Sequence, residues 1–108
     1  MCFCFIILEY EMPKYISLIN FTNQGIKDVK NLPQRVQAAR EAIEKAGGKL
    51  IDWNLTMGEY DVVAISEAPN DSIAALIGLA LGSQGNLRTN TLKAFTLAEA
   101  TAIISKLP

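Results

Sequence analysis

Gly58-Glu59-Tyr60-Asp61 is the stretch of this 108-residue chain whose residue types and spacing could do chemistry. A glycine turn delivers a phenol and a carboxylate side by side onto the apolar run Val62-Val63-Ala64-Ile65. Strand side chains alternate between faces, so an adjacent pair points to opposite sides of a sheet. One of the two polar groups is driven toward an interior, where it needs a partner or a purpose. If Val63 and Ile65 face the helices, Asp61 goes with them and Tyr60 lies on the open face with Val62 and Ala64. In a binding site, Tyr60 would be a pocket wall and hydrogen-bond donor with a carboxylate nearby. The structural alternative has Gly58 supplying a positive φ, Tyr60 filling a dimer core and Asp61 binding backbone amides or an arginine at the end of the sheet.

Other residues invite the same question. Arg88, Thr89, Asn90, Thr91 and Lys93 form a polar ladder, with Thr89, Thr91 and Lys93 on one face and Arg88 and Asn90 on the other. Arg88 could meet an acidic ligand or pair with Asp61; the alternative is an edge strand protected from aggregation by polar side chains. Trp53 could stack on a ligand or belong to the core. The segment Gly82-Ser83-Gln84-Gly85-Asn86 resembles a phosphate-cradling loop only superficially. It follows a helix C-terminus, where the dipole repels anions, and it has neither the lysine nor the following helix of a P-loop. Gly82 and Gly85 therefore read as turn glycines that stop a helix. Arg35, Arg40, Glu41, Glu44 and Lys45 read as a solvated helix face.

Composition narrows the chemistry. Histidine is absent, which removes the commonest general base and metal ligand and every Ser-His or Cys-His nucleophile. Cys2 and Cys4 alone cannot complete a zinc site, and they suit incidental thiols of a reducing cytoplasm. No metal and no cofactor are expected. A net charge of −1 without a basic stripe excludes nucleic acid as a natural partner. The apolar run at residues 3–8 is far shorter than the ~20 residues a membrane helix needs, so no membrane partner is expected. With 50% hydrophobic and 19% charged residues, the chain is apolar for so small a domain. The surplus points to an interface between copies, a homodimer or higher homo-oligomer. The domain is expected over residues 12–108, starting at Met12, with residues 1–11 an extension outside the fold; the alternative is an extra edge strand.

The elements that must position these residues follow from periodicity. Residues 14–21 form a strand apolar on both faces, with Ile16 and Leu18 on one and Tyr15, Ile19 and Phe21 on the other, as in the centre of a sheet. Residues 22–25 read as a turn. Leu32, Val36, Ala39, Ile43 and Ala46 make the stripe of an amphipathic helix, stopped by Gly47-Gly48. Residues 50–56 form a strand with Ile51, Trp53 and Leu55 on one face and Leu50, Asp52 and Asn54 on the other, in a hairpin with residues 60–66. Asn70 or Asp71 caps the next helix, which is apolar nearly all round and so expected to be covered on more than one side. Residues 87–95 form an edge strand. Thr96 and Glu99 have capping-box spacing and open a short last helix with Leu97, Ala100, Ile103, Ile104 and Leu107 inward. The order predicts a ferredoxin-like α+β fold, βαββαβ: a four-stranded antiparallel sheet, two helices on one face and a short C-terminal helix. The bare face of the sheet would be covered by a second copy, or partly by the last helix, with a sheet-to-sheet dimer the economical reading.

Several segments together resemble the GYD domain family: Pro13-Lys14-Tyr15 with its strand, Thr22-Asn23-Gln24-Gly25-Ile26, the Gly58-Glu59-Tyr60-Asp61 run, Glu67-Ala68-Pro69-Asn70-Asp71, and residues 81–89 with Thr91-Leu92. They cover residues 12–107. The resemblance implies a ferredoxin-like domain akin to dimeric α/β-barrel proteins, and it implies no reaction, because the family has no assigned activity. Three functions stay open. The first is an oligomeric small-ligand binding or sensing protein with a pocket between sheet and helices. The second is a cofactor-free enzyme of the monooxygenase or isomerase kind. The third is a purely structural oligomerisation module. Tyr60, Asp61, Arg88, Thr89 and Trp53 are the candidate ligand contacts, and Gly58, Gly82 and Gly85 the candidate turn residues.

Overall fold

The central strand of the sheet is the one the sequence marks as apolar on both faces. The computed structural model describes residues 12–108; the extension at residues 1–11, with Cys2 and Cys4, lies outside the described residues. Strand β1 (Lys14–Phe21) leads into a one-turn helix α1 (Asn23–Lys27), a tight turn at Val29–Asn31 and helix α2 (Leu32–Lys45). Strands β2 (Lys49–Leu55) and β3 (Val62–Glu67) form a hairpin, then come α3 (Asp71–Ser83), β4 (Leu87–Ala94) and α4 (Leu97–Ile104). The sheet order is β2-β3-β1-β4 with every neighbouring pair antiparallel. This is the ferredoxin-like α+β arrangement, with β4 on an edge as expected.

Local chemistry sets the helix boundaries. Pro33 stands in the first turn of α2, where its missing N–H costs nothing. The Asn70 side chain accepts the Ile73 amide at 2.9 Å and caps α3. Thr96 and Glu99 close a reciprocal capping box at the start of α4, and Gly47 takes φ +91° after α2. The expected turn at residues 22–25 is instead the start of α1. Thr22 caps it by accepting the Gly25 amide, a local bond that is easily read as a turn.

The register decides which side chains meet. On the helix-facing side, Trp53, Ala64, Ser17 and Thr91 share one row, and Leu55, Val62, Ile19 and Thr89 the next. On the open side, Asp52, Ile65, Ile16 and Leu92 share a row, beside Asn54, Val63, Leu18 and Asn90. Val62 and Ala64 are therefore the buried pair against the helices, and Val63 and Ile65 lie on the open face, the reverse of the assignment expected for this strand. Both alternating sets of β3 are apolar, so periodicity could not choose between them. The alternation expected in β2 also fails. A bulge between Leu50 and Asp52 displaces Ile51 and brings Leu50 and Trp53 to the same helix-facing side. The core is Ile19, Ile43, Leu50, Val62 and Ala64, flanked by Phe21, Val36, Trp53, Ile77 and Leu87.

The segments 22–25 and 84–86, roughly sixty residues apart in the chain, lock together at one end of the sheet. The Thr22 amide donates to the Asn86 carbonyl at 3.1 Å and the Thr22 hydroxyl to the Gly85 carbonyl at 2.6 Å. Gln24 Nε2 donates to the Gln84 carbonyl at 3.0 Å and to Asn86 Oδ1 at 2.9 Å. Gly25 lies so close that a Cβ would stand 1.9 Å from the Asn86 carbonyl oxygen, and Gly85 needs φ +85°. Gly82, expected as a turn residue, sits inside the last turn of α3.

Two expected helix placements are not observed. α3 presents Leu76 and Leu79 outward, 58% and 72% exposed, so the described residues cover only one of its sides. α4 makes no substantial contact with any other element of the described residues, and Leu97, Ile103, Ile104 and Leu107 are exposed rather than inward. The capping box starts this helix without giving it anything to pack on.

Because Asn86 backbone blocks any side chain at position 25, Gly25→Ala is expected to destabilise the fold by about 2–3 kcal/mol. Gly78, in the middle of α3 with open space around it, should gain about 0.5–1 kcal/mol as Gly78→Ala. Urea unfolding of the two variants beside the parent checks both signs.

Candidate functional site

Small residues at the centre of the sheet leave a space beneath the helices. Ser17, Ala64 and Ser66 sit on the helix-facing side of β1 and β3, where a packed core would carry branched side chains. A cavity of about 110 Å³ results. Its apolar wall includes Ile43, Val62, Ile77 and Trp53, and its hydroxyl lining includes Ser17, Thr89 and Thr91. At the locked end it is lined by Arg35, Gln84 and Asn86. Arg35 belongs here and not to a solvated face. Its side chain is only 20% exposed, its Nη2 donates to the Gly25 carbonyl at 3.4 Å, and its Nη1 lies 3.5 Å from Asp28 Oδ2. The long aliphatic stem covers apolar surface while the guanidinium stays with polar partners. A sequence count of charges on a helix face cannot see that.

At the other end stands a polar cluster that motif reading misses. The Tyr15 hydroxyl donates to Asp71 Oδ1 at 2.5 Å. Lys93 Nζ donates to the same oxygen at 3.1 Å and lies 5.2 Å from the centre of the Tyr15 ring, a cation–π distance. The three residues come from β1, the first turn of α3 and β4, so no spacing in the chain announces them. The only available signal is that Lys93 and Tyr15 lie on the same face of neighbouring strands. Burial, then the hydrogen bond and negative charge of Asp71, push the Tyr15 phenol up to about 12. The hydrogen bonds from Tyr15 and Lys93 and the Lys93 charge hold the Asp71 carboxyl below its ordinary value. Tyr15 is thus a protonated donor at neutral pH and unsuited to act as a base. Outside it runs a groove of about 520 Å³ between α3 and β4, walled by Ala75, Gly78, Leu79, Thr89, Thr91 and Lys93. Tyr15, Ala74, Gly78, Thr89 and Thr91 line both the groove and the inner cavity.

The sequence candidates divide between these places and the end of the sheet. Trp53 and Thr89 line the cavity. Tyr60 and Asp61 precede β3 and lie outside the cavity lining. Asp61 Oδ2 accepts the Phe21 amide at 2.9 Å. The Asp61 amide donates to the Ile19 carbonyl at 2.9 Å, and its own carbonyl accepts the Thr56 amide at 2.8 Å. The Thr56 hydroxyl donates to the Tyr60 carbonyl at 2.6 Å. Asp61 therefore ties three strands together, and Gly58 turns the chain before it with φ +114°. Arg88 sits opposite Asn20 on the open face. It does not pair with Asp61; the ion pairs among the described residues are Arg35 with Asp28 and Lys93 with Asp71. No group of three or more Cys, Asp or Glu among the described residues could hold a metal, and no helix among them is long and apolar enough to cross a membrane.

Comparison with known proteins agrees with the resemblance. The sequence profile of the GYD domain matches residues 15–104. A protein of Thermus thermophilus, named glutamine synthetase and cystathionine beta-lyase binding protein, is 29% identical over 92 residues. The match spans 84% of this chain and 97% of that protein. No solved structure matches the chain.

Two measurements test the geometry. Asp61→Ala should lower the unfolding free energy by about 1.5–3 kcal/mol, the value of a hydrogen bond to a charged group, and Asp61→Asn, which keeps an acceptor, by less; denaturant melts read both. The folded state holds the Tyr15 proton more tightly than the unfolded chain does. Its contribution to stability is complete below pH 10.0 and is lost as pH rises toward about 12. In a spectrophotometric phenol titration one tyrosine should ionise last, and Tyr15→Phe should remove that step together with its share of the alkaline loss of stability.

Proposed function

This chain belongs to the GYD domain family, and from that footing we propose that it is a binding protein that docks on other proteins through α3 and the groove beside it. The observation that carries the reading is the outward row of Leu76 and Leu79 next to a groove ending in the Asp71–Lys93 pair. Exposed aliphatic residues rimmed by polar groups mark interaction sites in soluble domains, and a buried aliphatic anchor beside a charged rim is the usual makeup of an interface. The name of the Thermus relative supports protein partners, and glutamine synthetase and cystathionine beta-lyase are the first to try. The proposal carries a cytoplasmic location, where those enzymes would be met.

A second surface supports self-association. Ile16, Leu18, Val63, Ile65 and Leu92 lie on the open face of the sheet, and nothing in the described residues covers them with a layer of helices. A second copy laid face to face would bury this set in a two-fold interface. A third feature, the cavity between sheet and helices, supports a small molecule held by the domain, so that the protein would bind partners in response to a metabolite.

The surfaces are distinct, so one set of variants separates them. Leu79→Glu should abolish capture of immobilised glutamine synthetase or cystathionine beta-lyase in biolayer interferometry while leaving the mass in solution unchanged. Ile65→Glu should convert a dimer to monomer in light scattering. Unchanged capture by Leu79→Glu, or no capture of either enzyme by the parent, would sink the docking proposal; a parent that is already monomeric would sink the self-association.

A further inference from the structure

One end of the inner cavity is lined by Arg35, Gln84 and Asn86, side chains that carry hydrogen-bond donors. The Arg35 guanidinium carries five N–H groups in a planar fork, yet its two protein contacts are long, 3.4 Å to a carbonyl and 3.5 Å to a single carboxylate oxygen. Asp28, the carboxylate in question, is already engaged by Asn31 at 2.6 Å. Beside Arg35, Asn86 has its oxygen taken by Gln24 Nε2, which leaves its N–H2 end to offer. Gln84 completes the lining there. At the opposite end the lining has Tyr15, whose hydroxyl is engaged by Asp71 outside the cavity wall. Between the ends one wall is Ile19, Ile43, Val62, Ala64 and Trp53, and the rest includes the hydroxyls of Ser17, Ser66, Thr89 and Thr91.

We propose that this cavity binds a small monocarboxylate, its carboxylate on Arg35 and Asn86 and its apolar body against Trp53 and Ile43. The inference rests on reading the cavity as a small-molecule site and adds the class of ligand. Size limits the body. The cavity is about 110 Å³, somewhat less than the apolar cavity of about 150 Å³ that accommodates benzene, so an apolar part of about four to five carbons fills it. Charge selects the head group. A guanidinium fork matches a carboxylate with two parallel bonds, and a partly buried site strengthens that pairing relative to water. A neutral alcohol of the same length would leave the fork unmatched, and an amine would meet a like charge. The lining carries no second cation for a dicarboxylate: Lys93 lies in the outer groove and not in this wall.

Trp53 is the single tryptophan of the chain and lines the cavity, so its emission reports occupancy. The full chain is titrated with hexanoate and, separately, with 1-hexanol, following Trp53 fluorescence and calorimetric heat at neutral pH. Both probes are titrated into the millimolar range. Hexanoate should bind about tenfold tighter than 1-hexanol, as a charge-assisted bond predicts. Arg35→Gln should bring hexanoate to the level of the alcohol without moving the alcohol, and Arg35→Lys, which keeps the charge but not the fork, should fall between. Equal binding of acid and alcohol, or an Arg35→Gln variant that melts like the parent and still prefers hexanoate, overturns the carboxylate assignment while leaving a small-molecule cavity. No response to either probe at millimolar concentrations overturns both.

Discussion

The contact between Gly25 and the Asn86 carbonyl is the constraint on which the rest of this domain hangs. Only a glycine permits it, and the bonds of Thr22 and Gln24 to residues 84–86 hold the end of β1 against the start of β4. That pins the edge strand in register with the central strand and fixes where α3 must end. It also seats Arg35, whose guanidinium rests on the Gly25 carbonyl, in the lining of the cavity. Asp61 does the corresponding work for β2 and β3, clamping the Phe21 amide and receiving the Thr56 amide. The two segments that looked most like active-site loops are joints of the scaffold.

What the scaffold holds open follows from residue size. Serine and alanine at the middle of β1 and β3 cannot reach the helices, and Gly78 of α3 withholds a side chain from the same region. A close-packed interior tolerates few such voids, so a cavity lined by one arginine, one tryptophan and several hydroxyls invites a ligand. The absence of histidine and the raised Tyr15 phenol leave this interior with donors and apolar walls instead of a proton acceptor.

The outer surface follows from the same surplus of apolar residues. α3 and α4 have no buried residue; Leu76 and Leu79 of α3 and the large aliphatic residues of α4 are turned to solvent. A chain that is half hydrophobic has placed much of that surplus where only another molecule can cover it. The open sheet face and the outer face of α3 are separate surfaces on opposite sides of the domain, so self-association and capture of a different protein need not compete.

Periodicity, caps and turn chemistry were sufficient for the element order, the central position of β1, the β2–β3 hairpin and the capping of α3 and α4, because each depends on neighbours within a few residues. The family was legible for the same reason, from short runs read together. Tertiary structure alone decided which face of β3 is buried, since Val62-Val63-Ala64-Ile65 is apolar in both phases. It alone decided the bulge that turns Trp53 toward the core, the partial burial of Arg35, and the exposure of Leu76, Leu79 and the last helix. Tyr15, Asp71 and Lys93 meet only because three elements converge. Local sequence records what a residue prefers, whereas a site assembled across the sheet depends on register and packing, which no single segment contains.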